Sequence, residues 1–178
     1  MLSIIRPRGF VKLSPALIGI VTLAIVCITQ PAWSQTMGDE AELERLRVKA
    51  EEAIASDDPE GAAMNMGRAA LMAKRLGLLS RENPASVRLY QGAESLFRSQ
   101  EHGYRAMALF RRAGGQLPAS SGVCGSLALA QGSVQRALLD LSSESLPVSL
   151  VERATRWRET ADDWVIVVAA MITDYQCP

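Results

Sequence analysis

The stretch Val87–Pro118, VRLYQGAESLFRSQEHGYRAMALFRRAGGQLP, decides how this 178-residue chain is read. Apolar residues recur in it three and four apart: Val87, Tyr90, Ala93 and Phe97, then Ala106, Leu109, Phe110 and Ala113. That is the period of a helix with one buried stripe. Glu101-His102-Gly103 separates the two series, and Gly114-Gly115 ends the second. The spacing predicts a helix hairpin, with Val87 to Gln100 as one arm, a turn at residues 101–103, and Tyr104 to Ala113 as the other.

The stretch resembles a tetratricopeptide repeat, whose pattern runs W-x2-L-G-x2-Y, then A-x3-F, then P. Tyr90 stands at the Trp position, Ala93 at Leu, Phe97 at Tyr, Ala106 at the small crossing residue, Phe110 four later and Pro118 at the close. Two residues depart from the pattern: Glu94 stands where the family has Gly, and Ala93 is smaller than the family's Leu. The likeness covers residues 87–120 and implies a short array of helix pairs that binds another protein or peptide. It also implies that Arg88, Gln91, Ser95 and Arg98 face the binding groove. Their spacing of three, four and three puts them on one helix face, and the two guanidinium forks suit an acidic segment or a C-terminal carboxylate. A plain solvated face is the alternative.

Towards the N-terminus, Asp39 to Ala55 reads as a helix with Leu43, Leu46, Ala50, Ala53 and Ile54 on one side and charges on the others. Asp58-Pro59 opens a second helix, stopped at Gly77, whose inner face is small: Ala62, Ala63, Met66, Ala69, Ala70 and Ala73. Residues 39–77 are therefore expected to be a degenerate copy of the hairpin at 84–118, which Asn83-Pro84 opens. Met64, Met66 and Met72 read as core filler rather than metal ligands. Towards the C-terminus, a helix from Ser126 to Leu141 is followed by one from Pro147 to Tyr175, with a stripe of Val151, Ala154, Trp157, Ala161, Trp164, Val168, Met171 and Tyr175. From Trp164 to Ile172 that helix is apolar nearly all round, so the core or a partner should cover it. The fold class expected is all-α: about six helices in consecutive antiparallel hairpins, closed by a long C-terminal capping helix.

Residues 1–34 read as a signal peptide. Arg6, Arg8 and Lys12 precede the apolar run Ala16 to Ile28, and Ala32-Trp33-Ser34 supplies a small-x-small cleavage site. An uncleaved anchor would place the rest outside the cytoplasm as well. The pattern resembles a bacterial export signal, so the expected location is the periplasm or the medium, with 35–178 as one helical domain. The segment holds three of the 19 basic residues and none of the 19 acidic ones, so 16 basic residues remain and the net charge becomes −3. Such a balance provides no concentrated positive field for nucleic acid.

Cys124 and Cys177 then remain in an oxidising compartment and invite a disulfide across 53 residues. For two helices folded back about Ser143, the stretch before Cys124 is about ten residues the shorter, and an extended Gly122–Gly125 is needed to close the gap. The competing reading is a nucleophilic Cys124 with His102 as its base; otherwise His102 is a solvated turn residue. No phosphate loop, haem-attachment motif or zinc set occurs in the sequence. The expected function is a protein-interaction scaffold or adaptor without catalysis or cofactor. A closed helical bundle serving as exported inhibitor or structural subunit is the alternative. The half from Cys124 to Cys177 resembles pectin methylesterase and invertase inhibitor bundles, without their other cysteine pair.

Overall fold

The computed structural model describes residues 32–142 and 146–178. The expected signal segment lies outside them except for Ala32–Ser34, which belong to the first helix. The packing that matters lies within the compact unit Thr36–Pro178. The described residues form five helices and no strand: α1 Ala32–Ala55, α2 Pro59–Leu79, α3 Pro84–Arg112, α4 Ser121–Asp140 and α5 Val148–Asp174. The all-α class and the long C-terminal helix are as the apolar periodicity predicts.

The turn expected at residues 101–103 does not form. Both arms of the expected hairpin belong to the single 29-residue helix α3, with no turn between them. One interior glycine costs a helix only about 1 kcal/mol. Gly103 is moreover a packing residue: a Cβ there would lie 2.6 Å from Cζ2 of Trp164 on α5. His102 is consequently half-buried within a helix rather than solvated in a turn. Gly77 does not stop α2 either; it is buried against Tyr90, and the helix continues to Leu79.

The helix starts follow local chemistry. Asp58 accepts a hydrogen bond from the Gly61 amide at 2.8 Å and Asn83 accepts from Ala85 and Ser86, each with proline at the first helical position. α3 ends at Gly114 and Gly115, both at positive φ, where a side chain would be strained.

Consecutive helices run antiparallel. The end of α2 meets the start of α3 at Gly77 and Tyr90, α3 meets α4 at Gly92 and Leu141, and Ser99 Oγ donates to the Ala130 carbonyl at 2.7 Å. α5 returns beside α4 and parallel to α3, pairing Trp157 with Tyr90 and Phe97, Trp164 with Tyr104, and Tyr175 with Phe110. The core combines Leu43, Leu46 and Ala50 of α1 with the alanines and Met66 of α2, then Leu89, Leu96 and Phe97 of α3, Val123, Leu127 and Val134 of α4, and Trp164, Val168 and Met171 of α5. Only those last three of the apolar run on α5 are buried together; Val165, Ile166 and Val167 are exposed.

Cys124 and Cys177 are bonded, with Cα atoms 5.4 Å apart. The gap does not close by an extended Gly122–Gly125, because α4 already begins at Ser121 and Cys124 sits in its first turn. The two helices are instead out of level. Arg158 donates to the Leu138 carbonyl at 3.2 Å, so the first ten or so residues of α5 project about 15 Å beyond the end of α4. That overhang absorbs the difference in length.

Gly103→Ala should destabilise the protein by about 1 to 3 kcal/mol through overpacking against Trp164. Gly132→Ala, where an added Cβ meets nothing within 4 Å, should stabilise it by about 0.5 to 1 kcal/mol. Urea unfolding of the two variants should move the midpoint in opposite directions. Replacing both cysteines by serine should cost about 4 kcal/mol for the 53-residue separation, read as the shift in the same unfolding curve.

Candidate functional site

Two clefts flank α3. The first lies between α1 and α5 with a volume of about 720 Å³, within the range of small-ligand sites. Its floor is Leu43, Leu76, Tyr90 and Trp157, and its walls are charged residues of α1 and α5. One end is closed by a three-way contact on the overhang of α5. Arg153 holds Glu40 with both nitrogens of its fork, Nη1 at 2.7 Å from Oε1 and Nη2 at 3.2 Å from Oε2, while the Tyr90 hydroxyl donates to Glu40 and accepts from Arg153 at 3.0 Å. Burial pushes the Glu40 carboxyl up, but the hydrogen bonds from Arg153 and Tyr90 outweigh it and leave its pKa below the ordinary 4.5. Burial and the Glu40 carboxylate raise the Tyr90 phenol well above its ordinary value.

The second cleft, about 490 Å³, runs between α2 and α3. Small residues make it: Ala63 and Gly67 of α2 face Ala108 of α3. A Cβ at Gly67 would lie 3.1 Å from the Glu101 carboxyl carbon, so a larger residue there would push that side chain back by a few tenths of an ångström. Glu101 is buried and shared by two guanidiniums, Arg98 at 2.7 Å and Arg105 at 2.6 Å. Two cations on one carboxylate leave this patch positive. Arg112 of the same cleft pairs with Glu60 across it. Met64 lines the cleft, and Leu71 and Leu78 follow it along α2 at seven-residue steps, the three having 56%, 57% and 67% of their surface exposed.

The four residues expected to line a groove sit on α3. Gln91 is exposed, Ser95 and Arg98 are half-buried, and Arg98 is committed to Glu101. Arg88 is exposed and close enough to Asp140 of α4 to oppose the upward shift that burial gives that carboxyl. Their strip lies between the side of α3 that meets α2 at Glu101 and the side that meets α4 at Ser99. Sequence reasoning finds Arg98 but misses Glu101, Arg105 and Arg112, because it puts a turn at 101–103; the run Arg98, Glu101, Arg105 at three and four spacing is the available signal. Cys124 cannot act as a thiolate beside His102, since its sulfur is bonded to Cys177. Burial lowers the His102 pKa, and its Nδ1 has no hydrogen-bond partner among the described residues. Among the described residues no three His, Cys, Asp or Glu are grouped to hold a metal ion.

Because the Glu40 pKa is lowered on folding, its contribution is present above pH 4.5 and is lost as pH falls through the folded value. Glu40→Gln should cost up to about 1 kcal/mol at pH 7, a modest figure because the pair remains partly exposed. The difference from the parent should shrink progressively when urea unfolding is repeated at pH values below 4.5. No protein family, curated protein or solved structure matches this chain.

Proposed function

We propose that this is an exported helical module that binds an acidic amphipathic segment of another protein in the groove between α2 and α3. The observation that carries the proposal is the exposed stripe Met64, Leu71 and Leu78, which follows the seven-residue period of a helix–helix seam beside that groove. Groups of this kind at the surface mark interaction sites when they are contiguous. The sign of the partner follows from the rim. Arg98 and Arg105 share one carboxylate, and Lys74 adds a further positive charge on α2, so an acidic flank is favoured and a second copy of this basic rim is not. Export is supported by the disulfide, a bond at home in oxidising compartments, and by the signal-like pattern of residues 1–34. No described helix is long and apolar enough to cross a membrane.

A second reading, a structural subunit of a larger exported assembly, is favoured by the exposed Val165, Ile166 and Val167 on the outer side of α5. The two separate by where a charge disrupts association. A fluorescent peptide of about three helical turns, with Leu every seventh position and Glu flanking it, should bind saturably, more weakly as salt rises. Leu71→Asp and Arg105→Glu should each weaken it about tenfold, while Ile166→Asp leaves it unchanged. Equal binding of the same peptide with Lys in place of Glu would refute the proposal.

A further inference from the structure

The cleft between α1 and α5 carries a ligand class of its own. Of the three arginines lining it, Arg153 is committed to Glu40, and Arg47 to Glu44 and Glu51. Arg156 forms no ion pair within 4 Å among the described residues, although its charge is felt by Glu44 across the cleft. Along the same wall of α5 come Glu159 and Asp163, which line the cleft and likewise form no ion pair within 4 Å among the described residues. After the internal pairs are set aside, one wall thus presents a cation at one end and carboxylates towards the other. Below them lies an apolar floor of Leu43, Leu76 and the half-buried ring of Trp157.

A ligand complementary to this has an anionic end, a cationic end and an apolar body. The separation fixes its length. Arg156 and Asp163 are seven residues apart on one helix, about 10.5 Å along the axis. An extended chain of three residues spans about 10 Å. The volume of about 720 Å³ accommodates such a molecule with apolar side chains. Amphiphilic anions match Arg156 and the floor but leave the Asp163 end opposed by like charge; organic cations fail at the other end.

We propose that the α1–α5 cleft is a binding site for short apolar peptides with free termini, the C-terminal carboxylate on Arg156 and the N-terminal ammonium between Glu159 and Asp163. The apolar side chains rest on Trp157, Leu43 and Leu76. The Glu40–Arg153–Tyr90 contact closes the end beyond Arg156 and limits the length that fits. This site is separate from the α2–α3 groove, and neither depends on the other.

The test is calorimetric titration of the intact, disulfide-bonded protein with trivaline, N-acetyltrivaline and trivaline amide. Free trivaline should bind with a millimolar or tighter constant, and either cap should weaken it about tenfold, the value of one charged hydrogen bond. Arg156→Ala should weaken free trivaline about tenfold yet leave the amide unaffected, and Asp163→Asn should behave likewise towards the acetylated form. Both residues are exposed, and circular dichroism should show unchanged helix content. Leu71→Asp should leave trivaline binding intact, which keeps this outcome distinct from that of the α2–α3 groove. Equal binding of capped and free peptide, additive losses from Arg156→Ala and amidation, or no saturation by millimolar trivaline would each overturn the proposal.

Discussion

The structure depends on how closely other helices can approach α3. A 29-residue helix surrounded by neighbours needs places where side chains give way, and glycines supply them on both partners. Gly92 admits Leu141 at the end of α4, Gly103 admits Trp164 of α5, and on the α2 side Gly67 eases the approach of Glu101. Each glycine weakens its own helix slightly, and dispersion contacts recovered in the packed interface offset that loss. The alanines of α2 serve the same end over a longer surface.

From this close packing follows the placement of charge. α2 approaches α3 so nearly that the Glu101 carboxylate is enclosed between them, and enclosure of a lone anion is costly unless it is neutralised. Arg98 and Arg105, one turn before and one turn after, provide that neutralisation from the same helix. At the other end, α5 overhangs α4 and has no α4 surface to pack on. There it meets α1 through Arg153 and Glu40 rather than through a dense apolar seam, so the first helix is joined to the fold by a polar clamp plus Leu43, Leu46 and Ala50.

Much of this is legible in the sequence, for reasons that can be named. Helical periodicity marks the buried faces of α2 and α5, and Asp58-Pro59 and Asn83-Pro84 mark two helix starts, because capping is local chemistry. The long α3 reads as two helices because Glu-His-Gly looks like punctuation when only the chain is in view. Gly103 is there for Trp164, 61 positions later, and no local pattern reports that. The same limit applies to Gly77. Compartment and pairing predict the disulfide but not its geometry, since the stagger of α4 and α5 is set by contacts such as Arg158 with Leu138. The four expected groove residues do lie along α3, whereas the charge centre beside them, Glu101, falls in the very segment that looks like a turn.

Both clefts then come from the side chains that neighbouring helices turn towards each other. Where α2 and α3 lie side by side with small residues facing each other, the backbone approach is close but the outer rim stays open, leaving a shallow channel beside exposed leucines. Where α5 extends past α4, its N-terminal half faces α1 across a gap that neither helix fills, because the α1 side chains there are Glu40, Glu44 and Arg47 rather than large apolar groups. A bulky apolar residue at position 44 would close that gap and extend the core. A charged residue there keeps the walls solvated and the aromatic floor accessible, an arrangement that sacrifices apolar burial a domain of this size could use. The open cleft is thus written into the choice of side chains on α1, not into the path of the backbone.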